Sequence, residues 1–436
     1  MKVLVVGGGG REHALCWKLR QSPDLKELYC APGNPGIGEI TDLVALAPEE
    51  VHKLADFAQG LKIDLTVVGP ELPLSLGIVD EFRQRGLPIF GPTRAAAELE
   101  GSKAFAKQFL ERHQIPTAGF TLAHDAQEAR RAAQGFGLPV VFKADGLAAG
   151  KGVVVIQTEE ELEEALVAFF EERRFGGAAE RVVVEQFLVG EEVSFIALSD
   201  GERMLPFATS KDYKRVGEGD TGPNTGGMGA HSPSGVLSQA DGAMVVEKVL
   251  RPTVEAMAAE GRPFTGVLYA GLMVTADGPK VLEFNTRFGD PEAQALMLRL
   301  ENDLLPILAA GAAGNFGAER LRFRKEASVC LVLASAPYPA NPVKGEVIEG
   351  LEAASTLPGV EIFHAGTAER DGTVVTAGGR VLNVCATGPR LVDALRRAYS
   401  AAAEIHWPSK ILRPDIGRRV LENGLSKRSS GAQDGA

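Results

Sequence analysis

Cysteine is scarce and scattered in this chain: Cys16, Cys30, Cys330 and Cys385 form no C-x-x-C pair. That spacing argues against a disulfide frame or a zinc site and suits reduced, partly buried thiols. The seven histidines form no H-x-x-x-H or H-E-x-x-H pair, which disfavours a zinc enzyme. No apolar run approaches the ~18 residues needed to span a bilayer, and no run of Lys and Arg is long enough to form a basic stripe. The formal net charge is -11, so the surface as a whole repels nucleic acid and anionic membranes. Small phosphates can still be held locally by backbone N–H groups and a few placed cations. The first residues lead directly into the apolar run Val3–Val6, with no signal-peptide layout. The expectation is a soluble, cytoplasmic protein, monomeric or weakly oligomeric, whose partners are small molecules rather than nucleic acid or membrane.

What is present is the mixture of an ordinary globular chain, 45% hydrophobic and 24% charged. With 436 residues it is long enough for two to four compact units. Over residues 1–101 short apolar runs (Val3–Val6, Glu27–Cys30, Leu43–Leu46, Leu65–Val68) alternate with helical stretches, which predicts a parallel α/β unit covered on both faces. A second unit, 102–325, opens with a helix over Ala104–His113. It contains a smaller lobe at about 118–190, with strands over Leu138–Ala144, Gly152–Gln157 and Arg181–Phe187. Thr158 and Glu161 have capping-box spacing before a helix over Glu159–Glu172. A helix over Gln239–Ala259 and strands over Gly266–Val274 and Lys280–Phe284 follow. Residues 326–425 read as a β-rich α+β unit, and 426–436 as a disordered tail.

Three local patterns carry chemistry. Gly7-Gly8-Gly9-Gly10-Arg11-Glu12 follows a strand and opens a helix, a place where an anion can meet backbone N–H groups. It is no dinucleotide fingerprint: Glu12 or His13 stands where the third glycine belongs, and no acidic residue ends the next strand. We read Gly9, Gly10, Arg11 and Glu12 as a site for a phosphorylated small molecule. The run Lys143–Gly152 resembles a P-loop but has one residue too few between its outer glycines and lies between two strands. A glycine-rich flap is the better reading, with Gly150, Lys151 and Gly152 closing over phosphates and Lys143 on the strand before it.

Third, Glu283-Phe284-Asn285-Thr286-Arg287 lies on a strand, so alternation predicts that Glu283, Asn285 and Arg287 project together while Leu282 and Phe284 face the core. A carboxylate and an amide oxygen two residues apart can hold one magnesium ion, completed by phosphate oxygens. Arg287 can meet charge developing on a transferring phosphoryl group.

Taken in order, Lys103, Lys143 with its flap, Glu185–Glu192 and Glu283-x-Asn285-x-Arg287 resemble the ATP-grasp superfamily. Further motifs resemble the phosphoribosylamine–glycine ligase family within it. They are Gly-Gly-Gly-Gly-Arg-Glu-His at 7–13, Ala-Pro-Gly-Asn-Pro-Gly at 31–36, Val-Gly-Pro-Glu at 68–71, Asn-Thr-Gly-Gly-Met-Gly-Ala at 224–230 and Glu-Phe-Asn-Thr-Arg-Phe-Gly-Asp-Pro-Glu at 283–292. The resemblance implies a Rossmann-like N-terminal unit, a two-lobed ATP-grasp core and a small C-terminal unit. It implies ligation of glycine to 5-phosphoribosylamine with ATP, through a glycyl phosphate, in de novo purine synthesis. Glu283 and Asn285 would hold Mg2+ or Mn2+, and Lys103 and Lys143 would contact phosphates. The segment through Glu185, Phe187 and Leu188 would present backbone to adenine, with Glu192 on the ribose. Asp212, Lys214, Arg287 and Asp290 would line the acceptor site. One departure is Gly271, where many ATP-grasp relatives carry a third acidic metal ligand. A biotin-dependent carboxylase is the competing resemblance, but it does not extend to Phe-Gly-Asp-Pro-Glu at 288–292, and no Ala-Met-Lys-Met sequence occurs.

Overall fold

A computed structural model describes residues 1–146, 152–172, 174, 176 and 180–422. The expected flap residues Gly150 and Lys151 and the expected tail fall outside the described residues. Among those described, no helix is long and apolar enough to cross a membrane.

The first unit follows from its alternating runs. Five parallel strands lie in the spatial order Asp42–Leu43, Glu27–Pro32, Lys2–Gly7, Leu65–Val68, Ile89–Phe90. The run expected as a strand over Leu43–Leu46 contributes only its first residue to this sheet. Strand order reverses on either side of Lys2–Gly7, so the crevice beyond the carboxyl ends of Lys2–Gly7 and Leu65–Val68 is where such a sheet receives ligands. Arg11, Pro70 and Glu71 stand there.

The smaller lobe is an antiparallel sheet ordered Phe120–Ala123, Val182–Gln186, Val140–Ala144, Val153–Ile156. Period-two alternation divides its residues cleanly. Val140, Phe142, Ala144, Ile156, Val182 and Val184 are buried against the helices Ala126–Phe136 and Glu159–Leu166 in a core drawn from this lobe alone. The opposite face presents Val141, Lys143, Val153, Val155 and Glu185 to a cavity. The second helix continues beyond Leu166 with wider i→i+5 turns over Val167–Glu171. The helical run from Gln239 to Ala259 widens in the same way over Val246–Leu250, just before Pro252, which has no N–H to give.

Across the cavity stands a second antiparallel sheet: Met204–Pro206, Glu191–Asp200, Thr265–Thr275 and Gly278–Asn285. The third sheet crosses the expected boundary at 325/326. Lys211–Asp212 and Gly229–Ser232 pair into the sheet of Ala327–Ser335, Arg380–Gly388 and Val360–His364. The helix Glu292–Arg299, buried at all eight positions, packs between the helix Gly10–Leu19 and this sheet. One hydrophobic cluster accordingly runs from Val3 and Leu15 through Leu296 and Leu305 to Cys330 and Cys385.

Candidate active site

The three sheets and the switch-point crevice enclose a cavity of about 840 Å3. Of the residues expected from sequence, it is lined by Arg11, Lys103, Lys143, Gly152, Glu185, Phe187, Leu188, Glu192, Asp212, Lys214, Glu283, Asn285, Arg287 and Asp290. Gly9, Gly10 and Glu12 do not line it. The Glu12 carboxylate is buried and accepts from Gly9 N–H at 2.6 Å and from Arg11 Nε at 2.6 Å. The helix N-terminus thus already holds an anion from its own first turn. Of these four only Arg11 reaches the cavity, its Nη1 donating to the Phe288 carbonyl at 3.0 Å.

Two lysines of the cavity wall share one carboxylate. Glu185 Oε2 lies 3.0 Å from Lys143 Nζ and 3.2 Å from Lys107 Nζ, all three side chains being nearly inaccessible. Lys143 also donates to the Leu282 carbonyl at 3.0 Å and Lys107 to Thr117 Oγ1 at 2.7 Å. Burial pulls the Lys107 ammonium down to about 8, although Glu185 opposes the shift. The other Glu185 oxygen, Oε1, is buried with no hydrogen-bond partner among the described residues. Lys107 escaped the sequence reading, yet it stands four residues after Lys103 on one helix, a spacing that places both on the same face. Lys103 itself donates to the Gly146 carbonyl at 3.2 Å.

Alternation does not hold over the strand Gly278–Asn285. Glu283 stands opposite Gly271 but Val281 opposite Leu272, so Leu282 is a bulged extra residue. Val281 and Phe284 enter the core, and Leu282 turns to the cavity with Glu283 and Asn285 instead of facing the core as alternation predicts. Gly271 makes the room: a Cβ there would lie 3.2 Å from Glu283 Cγ. Glu283 Oε1 is 3.2 Å from Lys214 Nζ, which holds the carboxyl down at about 2 and is itself raised in return. The Asn285 side chain has no hydrogen-bond partner among the described residues, leaving its amide oxygen available. Among those residues no three His, Cys, Asp or Glu converge as a metal cage. An ionised carboxylate and a free amide oxygen fit a hard divalent cation that takes its remaining ligands from phosphate and water.

Arg287 is more constrained than the sequence suggests. Its guanidinium lies 3.0 Å from Glu100 and 3.3 Å from Glu71, and donates to the Phe288 carbonyl at 3.2 Å. Nε, though near Glu71, is not aligned for a hydrogen bond. Glu100 is in turn fixed by Thr286, whose N–H and hydroxyl donate to it at 2.7 and 3.0 Å. Glu71 closes the Val-Gly-Pro-Glu run at 68–71, so the switch-point loop reaches over to orient Arg287.

Two aspartates on the remaining wall are driven apart. Burial and the neighbouring Glu292 push the Asp212 carboxyl well up, and its Oδ1 has no partner among the described residues. Burial also opposes the ionisation of Asp290, but the guanidinium of Arg380, assisted by Arg11, holds it below the usual carboxylate range. Arg380 and Tyr338 also line the cavity. No local pattern in the sequence marks either.

Family models match along the chain in order. The phosphoribosylglycinamide synthetase N domain matches residues 1–100, its ATP-grasp (A) domain 101–293 and its C domain 328–419. A phosphoribosylamine–glycine ligase of Brucella melitensis is 49% identical over 428 residues, 98% of this chain and 100% of that one. One from Vibrio vulnificus is 51% identical over 430 residues, with the same coverage. The chain belongs to the phosphoribosylglycinamide synthetase family. The solved phosphoribosylamine–glycine ligase of Thermotoga maritima superposes with a TM-score of 0.81 at 35% identity, covering 95% of this chain and 100% of that one. Biotin carboxylase of Campylobacter jejuni, at 14% identity and TM-score 0.72 over 94% of this chain and 92% of its own, shares the fold. As a phosphoribosylglycinamide synthetase the chain is an ATP-grasp ligase, an enzyme that acts on small molecules with ATP and a divalent metal.

Proposed function

We propose that this enzyme joins glycine to 5-phosphoribosylamine, giving glycinamide ribonucleotide, ADP and phosphate through a glycyl phosphate. The observation that carries the reading is the placing of Glu283 and Asn285 in one cavity with Lys103, Lys143 and Arg287, and with Asp212 and Asp290 beside them. The relatives' names agree with it. We further propose that the chain divides at about 101/102 and 325/326, with the smaller lobe at about 118–190.

In this reading ATP lies between the two antiparallel sheets. Val141, Val155, Leu188, Met273 and Leu282 offer an apolar slot for adenine, the backbone after Glu185 its hydrogen-bonding edge, and Glu192 a carboxylate for the ribose. Lys103 and Lys143 contact the phosphates. Glu283 and Asn285 would hold Mg2+ or Mn2+, which when bound would neutralise phosphate charge.

A free carboxylate reacts poorly with an amine because oxide would have to leave; phosphorylation replaces oxide with phosphate. Phosphoryl transfer requires alignment and charge stabilisation rather than a protein nucleophile. Among the described residues no Ser, Cys or His lines the cavity, consistent with transfer directly to glycine. Once the amine attacks, its nitrogen must lose a proton. Asp290, held ionised, is the candidate acceptor, and Asp212, pushed toward its neutral form, the candidate donor to substrate.

Labelling tests the reading. Glycine carrying oxygen-18 in its carboxylate is expected to deliver label to inorganic phosphate. Phosphate free of label, or release of AMP and pyrophosphate in place of ADP, would refute the acyl-phosphate route.

A further inference from the structure

Arg380 lies outside every motif noted in the sequence, at the start of the strand Arg380–Gly388. It nevertheless joins two loops of the cavity wall. Its Nη1 donates to the Asp290 carbonyl at 2.6 Å and the Gly226 carbonyl at 2.7 Å, and Nη2 lies 3.3 Å from the Asp290 carboxylate. Tyr338 adds a second tie, its hydroxyl accepting from Gly226 N–H at 3.1 Å.

The loop so held has little slack. Gly227 has φ +115°, in the region that favours glycine. A Cβ there would sit 2.5 Å from Pro291 Cδ and 2.8 Å from Asp212 Oδ1. The Gly226–Gly227 turn is therefore wedged between Asp212 on one side and Asp290-Pro291 on the other. A planar guanidinium can reach both carbonyls and the carboxylate from one position, which the point charge of a lysine cannot.

We propose that Arg380 is a positioning residue for the amine half of the reaction, locking Asp290 and the Gly226–Gly227 turn into one wall beside Asp212. The C-terminal part of the chain thereby completes the acceptor side of the site. The proposal rests on the ligase reading above and on Asp290 acting in its ionised form. The groups facing Asp290 are Arg380, Arg11 and Arg287, with Gln294 donating to Oδ1 at 2.8 Å and the buried Cys330 thiol close by. Arg380 contributes most among these cations to holding the carboxyl down. Its removal lets the carboxyl rise, so on acidification activity that needs the ionised form is lost sooner, at a higher pH than in wild type.

The test compares wild type, Arg380→Ala and Arg380→Lys by turnover, by separate KM values and by the pH dependence of kcat/KM for phosphoribosylamine. Wild type settles the underlying reading first: ADP release that does not require both glycine and phosphoribosylamine overturns the ligase assignment, whatever the variants do. Arg380→Ala is expected to lose ~100-fold in kcat/KM for phosphoribosylamine, the scale of a misplaced reacting group. Its KM for ATP should stay within ~3-fold of wild type, and the acid limb should move to higher pH. Arg380→Lys should restore the wild-type acid limb while recovering only part of the rate. An acid limb that stays in place in Arg380→Ala, or an equal loss in ATP binding, overturns the proposal. Should the alanine variant fail to fold, Arg380→Gln, closer in length, replaces it, with the same shift expected and the same outcomes overturning the proposal.

Discussion

Glu283→Gln is expected to keep the fold and to lower kcat at least ~100-fold, the scale on which loss of a key electrostatic contact acts. The side chain retains its shape, and Gly271 opposite still leaves it room. What disappears is a full negative charge where the divalent cation would sit, and the partner of Lys214 at 3.2 Å. Asn285→Ala is the companion experiment. Its side chain has no hydrogen bond to lose among the described residues, so a comparable fall in kcat would report the lost oxygen donor alone. The measurement is kcat against magnesium concentration for both variants. Turnover near wild type at ordinary magnesium would show that the metal lies elsewhere.

The second large effect is on stability. Glu185→Ala leaves Lys107 and Lys143 buried without their shared carboxylate, and breaking a buried pair from one side costs about 3–5 kcal/mol. In urea, the step that melts the smaller lobe, which carries Glu185, should move to lower denaturant concentration. The deficit should depend on pH in a definite direction. Lys107 is already depressed to about 8 from its ordinary 10.5, and loss of Glu185 depresses it further. The folded variant then binds fewer protons than folded wild type between its further depressed value and about 8, so the deficit shrinks as pH rises through that window. Glu185→Ala combined with Lys107→Met should be more stable than Glu185→Ala alone. A single variant as stable as wild type, or a deficit that grows with pH, would contradict this account of the cluster.

Much of the cavity lining could be read from the sequence because its determinants are local. A glycine turn after a strand marks the mouth of a parallel sheet, and Arg11 stands there. Lys143 and Glu185 face the cavity because a strand has period two. Where a local rule had two possible continuations, the structure took the less regular one. Leu282 left the core because one bulged residue resets the alternation. Glu12 turned back on its own helix because a carboxylate three residues after Gly9 reaches that N–H more readily than an external anion does. Lys107 was within reach of a helical wheel. Arg380 and Tyr338 were not: they meet Gly226 across 154 and 112 residues of chain, and nothing near them in sequence encodes that meeting. The same is true of Lys211–Asp212 and Gly229–Ser232, too short for periodicity to assign to a sheet whose other strands come mostly from residues 327–388.

The smaller lobe keeps its hydrophobic residues to itself, whereas the first, middle and last parts of the chain share one cluster. Heat or denaturant should therefore loosen this protein in two steps that do not follow the order of the chain. The smaller lobe should melt and re-form while the rest stands, whereas removing the strand Val360–His364 would disturb the helix Gly10–Leu19 near the start of the chain. A nucleotide that bridges the lobe to the larger sheet would fuse the two steps into one.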